Sequence, residues 1–220
     1  MIPWRIVDSA VAADGTKIEL ARRGDEWEVR ADHTTLMSNR AHGSEEALAR
    51  LAFERAPGAT RVLIGGLGLG YSLRATLDLL PPHGRATVAE LSPKVVGWNR
   101  SEIAHLAGRP LDDPRAVVFA GDVRKAIAQK AAYDVILLDV DNGPTSLVHD
   151  ANYRLYTADG IAACSAALTA GGALAVWSLL PDEDYLRRLR KAGFDATCLR
   201  VPARAGTRKK HVLFLASKRR

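Results

Sequence analysis

From Arg61 onward, short apolar runs alternate with segments that carry plausible helical faces. The runs are Arg61-Val62-Leu63-Ile64-Gly65, then Ala86–Leu91, Ala116–Ala120, Tyr133–Asp139 and Gly172–Trp177. A strand that is apolar along its whole length is buried on both faces, which requires a parallel sheet covered by helices. The end of the chain breaks this rhythm. Asp195–Val201 and His211–Ala216 are joined only by a Pro/Gly/Arg loop, too short for a crossover helix, so these strands pair antiparallel. The expected class is α/β, a mostly parallel sheet with an antiparallel last strand.

The first 60 residues follow a different pattern. Trp4–Val11, Thr16–Arg23 and Glu26–His33 have strand composition, with turn chemistry at Asp14-Gly15 and Gly24-Asp25 between them. They predict a small antiparallel meander. Ser44 is placed to cap a helix running from Glu45 to Arg55, with acids in its first turn and Pro57-Gly58 past its end. The chain therefore divides into an N-terminal β-rich lobe plus helix, residues 1–57, and a larger α/β domain, residues 58–220.

Composition removes several classes of protein. No apolar run approaches the roughly 20 residues needed to cross a bilayer, so no membrane association is expected. The start, Met1-Ile2-Pro3-Trp4-Arg5, lacks the apolar stretch of a secretory signal. The two cysteines, Cys164 and Cys198, form no CxxC pair, which argues against a zinc site or disulfide framework and suits a reducing cytoplasm. Charge is unevenly spread. The formal charge is +6, yet Arg187–Arg220 holds twelve Lys/Arg against one acid, a surplus of +11, leaving −5 for the rest. Such asymmetry can mark a nucleic-acid face. A basic solvated edge is the favoured reading, because no aromatics interleave with the charges.

In an open α/β sheet, ligands bind at the carboxyl ends of the strands, where strand order reverses. The first strand of the larger domain runs into Gly65-Gly66-Leu67-Gly68-Leu69-Gly70 at a helix start. Glycines at 66, 68 and 70 let a backbone turn tightly and approach a ligand, although tight strand-to-helix turns also use glycine for steric reasons alone. No Lys-Ser/Thr pair follows, which excludes a phosphate loop, and the third glycine of GxGxxG would fall at Tyr71. The spacing is like the nucleoside loop of AdoMet-dependent enzymes. Glu90, 20 residues beyond Gly70, is a candidate to accept both ribose hydroxyls, the alternative being an acid ahead of a helix start.

Asp122 either accepts from an adenine amino group or caps a helix, and the two are compatible. Asp139 emerges from a buried strand where desolvation can tune it to take a proton from an amine, with Asp141 close by. A helix cap or an Asx turn is the structural alternative for this pair. His149, Tyr153 and Tyr156 follow in the next loop as candidate substrate-lining groups, and Tyr71, which opens the helix after the glycine loop, is another. Trp98 and Trp177 read as core. No metal-ligand spacing and no serine nucleophile elbow is present.

Tyr133-Asp134-Val135-Ile136-Leu137-Leu138-Asp139, then Tyr153-Arg154-Leu155-Tyr156 and Gly171-Gly172-Ala173, resembles the spermidine synthase family of polyamine aminopropyltransferases. The glycine loop with Leu73-Arg74, the Glu90 strand and Gly121-Asp122 match that family in order and spacing, and the β-rich start fits its N-terminal lobe. The resemblance implies a Rossmann-like sheet of seven strands with a reversed last strand, usually in a homodimer. It also implies roles. The glycine loop would hold a sulfonium nucleoside, decarboxylated S-adenosylmethionine or S-adenosylmethionine, with Glu90 on the ribose and Asp122 on the adenine. Asp139 would activate the attacking amine, and no metal takes part. Two departures stand out: the family's loop aspartate is replaced by Gly68-Leu69, and its second acid before proline by Asn142-Gly143-Pro144, with Asp141 displaced by one. Both remove negative charge from the polycation subsite. Methyl transfer from S-adenosylmethionine therefore stays open beside aminopropyl transfer to an amine, and a non-catalytic nucleoside- or RNA-binding role is a third reading.

Overall fold

A computed structural model describes residues 2–11, 15–31, 34–140, 143–144, 153–204 and 206–219. The N-terminal lobe is an antiparallel sheet of β1 (Arg5–Val11), β2 (Lys17–Arg23), β3 (Glu26–Ala31) and β4 (Thr34–Ser38), in that order. The meander thus has a strand more than the sequence pattern indicates. Where a single strand to His33 is expected, β3 stops at Ala31 and β4 folds back so that Val29 faces Met37. Helix α1 (Gly43–Arg55) follows and packs on the larger domain. Its N-cap is His42, not Ser44: the helix starts two residues earlier than expected, which puts the Ser44 side chain inside the fold.

The second sheet contains β5 (Arg61–Gly65), β6 (Arg85–Glu90), β7 (Ala116–Ala120), β8 (Tyr133–Leu138), β9 (Leu168–Ser178), β10 (Phe194–Pro202) and β11 (Lys210–Lys218). Its order is β10-β11-β9-β8-β5-β6-β7. Strands β5 to β9 are parallel, and β11 inserts antiparallel between β9 and β10. This is the expected Rossmann-like sheet. Among the described residues, the helices of this domain are α2 (Tyr71–Leu79), α3 (Pro93–Arg100), α4 (Val123–Ile127), α5 (Ala158–Ala167) and α6 (Glu183–Lys191). None is long and apolar enough to cross a membrane.

The apolar runs are buried for the reason their composition gives. Along β8, Val135 and Leu137 enter the core layer shared with α1 and α2, while Ile136 and Leu138 enter the layer beneath α4, α5 and α6. Residues of opposite parity thus feed opposite layers, as the two-residue period of a strand requires. Strand order reverses between β5 and β8, and the crevice at their carboxyl ends is where a ligand is expected.

Candidate active site

The glycine loop leaves β5 at that reversal. Gly66 has φ +87°, and a Cβ there would lie 2.4 Å from the Asp139 carbonyl oxygen. Gly70, also at φ +87°, would set a Cβ 2.9 Å from Oδ1 of Asn99, whose amide donates to Gly68 O at 2.8 Å. These two glycines are needed so that the loop can pack between the end of β8 and helix α3. The loop is tied down further by Gly66 N–H donating to Ala89 O at 2.9 Å.

Glu90, the last residue of β6, is drawn into the same turn. Its carboxylate accepts from Leu67 N–H at 3.0 Å and from Ser92 N–H at 2.8 Å. Asp122 is the N-cap of α4, accepting from Arg124 N–H at 2.9 Å, and it also pairs with the Arg124 guanidinium. That guanidinium holds the Asp122 carboxyl below its ordinary value, outweighing partial burial. The cap reading of Asp122 is therefore realised in the fold.

Asp139 lies one residue past β8, where its carboxylate accepts from Ser72 Oγ–H of α2 at 2.5 Å. Burial pushes its carboxyl well above the ordinary range, and the Ser72 hydrogen bond offsets this only in part. A second acid, missed in the sequence pattern, shares its surroundings. Glu45, in the first turn of α1, is raised by burial and then by the proximity of Asp139. Two carboxyls this close in a low-dielectric setting favour holding one proton between them.

The pair opens into a cavity of about 100 Å³. Leu36 and Met37 of β4 line it, together with the Leu67–Leu69 stretch of the glycine loop, Tyr71, Ser72 and Trp177. The extra strand is therefore part of the site: a Cβ on Gly68 would meet Met37 Sδ at 3.1 Å. Tyr71 stacks on His42 with ring centroids 4.0 Å apart, and burial beside Glu45 and Glu46 raises its phenol to about 12.

Of the residues singled out in the sequence, Gly68, Tyr71 and Asp139 meet at this cavity, while Glu90 and Asp122 stand apart from it at the ends of the neighbouring strands β6 and β7. Asp141 and His149 lie outside the described residues. Tyr156 is not a pocket residue: it is buried, donates to Val140 O at 3.1 Å and packs edge-on against Tyr185. Trp98 is core as expected, but Trp177 at the end of β9 lines the cavity. Among the described residues no group of three or more His, Cys, Asp or Glu is arranged to hold a metal.

Known proteins give this geometry a context. The family model for the spermine/spermidine synthase domain matches residues 41–179. A polyamine aminopropyltransferase of Korarchaeum cryptofilum (strain OPF8) is 34% identical over 98 residues, which is 44% of this chain and 28% of that protein. The chain thus spans under a third of the curated relative it matches. Two solved structures share the fold at 23% identity and 97% coverage of this chain. One is a spermidine synthase in complex with the transition-state analogue AdoDATO (TM-score 0.81, 74% of that chain), the other the spermidine synthase of Thermotoga maritima (0.78, 73%). A probable spermidine synthase from Corynebacterium glutamicum ATCC 13032 aligns at 0.68 with 19% identity, over 97% of this chain and 80% of that one.

Proposed function

Since the chain belongs to the spermine/spermidine synthase family, we propose that it transfers an aminopropyl group from decarboxylated S-adenosylmethionine to a small amine. The observation that carries this reading is the acid pair Asp139 and Glu45 facing one cavity beside the glycine loop. An alkylamine is an ammonium ion near neutral pH and must lose a proton before it can attack. A carboxylate raised by burial is suited to take it.

In the proposed step the neutral amine nitrogen attacks the carbon next to the sulfonium. A C–N bond forms as the C–S bond breaks, and the electron pair of that bond leaves on sulfur as a thioether. The proton shed by nitrogen passes to Asp139, which Ser72 holds in place. Alignment supplies much of the remaining rate, since the sulfonium is already an activated leaving group. Glu45 is proposed to hold a substrate ammonium, restoring part of the negative charge lost where the loop aspartate is replaced by Gly68-Leu69.

The nucleoside half falls to the loop, Glu90 and Asp122. A carboxylate offers about four lone-pair sites. Glu90, held at the end of β6 by backbone donors, is proposed to accept from ribose hydroxyls, and the partly exposed Asp122 from an adenine amino group. Family membership favours aminopropyl over methyl transfer. The proposal includes a homodimer acting in the cytoplasm. Light scattering should then give twice the chain mass of 23.8 kDa.

The direct test is incubation with decarboxylated S-adenosylmethionine and putrescine, followed by mass spectrometry. Methylthioadenosine and an aminopropylated amine in equal amounts are expected. S-adenosylhomocysteine formed from S-adenosylmethionine in their place would overturn the reading in favour of methyl transfer.

A further inference from the structure

Behind Glu45 lies a buried polar cluster, joined to the cavity wall by Trp177, that the proposed reaction does not use. Ser44 Oγ sits 2.5 Å from Glu45 Oε2, 2.8 Å from His211 Nδ1 on β11 and 3.0 Å from Trp177 Nε1. Ser44 is fully buried and His211 is 6% exposed, so water does not satisfy these groups in their place. The α1 terminus that presents them is anchored to the chain before β11 by Gly43 N–H donating to Ala203 O at 3.0 Å.

A hydroxyl has one hydrogen and two lone pairs, and an indole N–H only donates. Trp177 therefore occupies one lone pair of Ser44 in every state. The hydrogen and the remaining lone pair must be divided between Glu45 and His211. Only two divisions leave nothing unpaired. With Glu45 ionised, Ser44 donates to the carboxylate and accepts from Nδ1–H of His211. With Glu45 protonated, its acid hydrogen points at Ser44, Ser44 donates to Nδ1, and the imidazole hydrogen is on Nε2.

We propose that Ser44 and His211 are positioning residues for Glu45 and form a proton relay, in which the His211 tautomer changes whenever Glu45 gains or loses its proton. Protons balance along it. One taken up at Nε2 releases the Nδ1 proton to Ser44, and Ser44 passes its own to Glu45. Run in reverse, the relay carries one proton from Glu45 to the Nε2 side of His211, which stands beside the exposed Lys209 and Lys210 at the start of β11. The relay gives the cavity a second proton station behind Asp139, with no buried polar group orphaned in either state. That catalytic use rests on the reading of the cavity as an amine site; the relay itself does not.

The groups facing the relay are few. Glu45 faces Asp139 from the end of β8 and Tyr71 from α2, with Glu46 beside it on α1 paired to His42 at 2.8 Å. His211 faces Lys209 and the edge-on ring of Trp177, with centroids 4.7 Å apart. Burial, then the Lys209 charge, lowers the imidazole to about 4, so His211 is neutral above pH 5 and only its tautomer can respond.

The test is nitrogen-15 NMR of the full chain labelled at histidine rings, titrated from pH 5 to 9 without substrate. The His211 resonance is assigned by its loss in His211→Asn. In the wild type, His211 should pass from Nε2–H to Nδ1–H as pH rises, in a single transition. In the near-isosteric Glu45→Gln and in Ser44→Ala, that transition should vanish. A tautomer constant with pH in the wild type, or a transition that persists in Ser44→Ala, would overturn the relay. Putrescine is then added at the midpoint. A shift toward Nδ1–H is expected, because a bound cation keeps Glu45 ionised. If the pH transition is present but putrescine does not move it, the relay stands and the amine-site reading fails.

Discussion

Glu90 and Asp122 on one side of the crevice, and Asp139 on the other, occupy equivalent places at the carboxyl ends of parallel strands. Their surroundings are opposite. Glu90 is met by two backbone N–H donors, and Asp122 by a backbone donor and a guanidinium that holds its carboxyl down. Asp139 has a serine hydroxyl and, across the cavity, a second acid, and burial drives its carboxyl up. Fixed donors keep a carboxylate available as an acceptor for a ligand's hydroxyl or amino groups. Burial beside a like charge prepares a carboxyl to change its proton. On the proposed assignment, the same residue type at the same topological position serves holding at β6 and β7 and proton transfer at β8.

The largest effect that would sharpen this division is on turnover. Asp139→Asn keeps the shape and the hydrogen-bonding reach to Ser72 but cannot take a proton, so kcat should fall by about 10³-fold. Binding of methylthioadenosine, measured by calorimetry, should stay within about threefold, since the nucleoside contacts are assigned elsewhere. Glu90→Ala should do the reverse. Losing the two proposed charge-assisted contacts to ribose is worth roughly 2–3 kcal/mol, a rise in the methylthioadenosine Kd of about 30–150-fold. At saturating nucleoside, kcat should change far less. If the two variants shared one profile, the contrast between holding acids and a proton-transferring acid would break down.

How much of this could be read before the structure follows from where each constraint acts. The parallel strands were legible because burial on both faces leaves an uninterrupted apolar run, as in Val135-Ile136-Leu137-Leu138. The reversed ending was legible from the loop between β10 and β11, too short for a helix. Strand β4 was not, because Thr34-Thr35-Leu36-Met37-Ser38 is only partly buried and becomes a strand through its pairing with β3. Glu45 was hidden for a different reason. Glu45-Glu46 reads as a pair of ordinary first-turn acids, and local sequence does not say which one turns inward. That is decided by where α1 docks, through Gly43 on Ala203 and Ser44 on His211 and Trp177. The same docking moved Ser44 from a cap to a core contact.

A smaller and separate effect concerns stability, where the acid pair should be a burden on the fold. In the native chain Glu45 is pushed up to about 8 by burial and by Asp139, whereas an unfolded glutamate titrates at about 4.3. Between those values the native state holds a proton that the unfolded state has released. Stability therefore falls as pH rises through that window, and below it the pair makes no difference. Glu45→Gln removes one of the two charges and with it the repulsion from Asp139 that raises Glu45. At about pH 3, where Glu45 is protonated in both the native and the unfolded state, the melting temperatures of variant and wild type should coincide. At pH 8 the variant should melt higher, by about 2–4 °C for each roughly 1 kcal/mol of this linkage in a chain of this size. Parallel melting curves at both pH values would mean that the two carboxyls do not share a proton, and Asp139 would then differ from Glu90 and Asp122 only in its neighbours, not in its protonation. A variant that is more stable yet binds the amine less tightly is the outcome expected if the repulsion is kept for the cation it can hold.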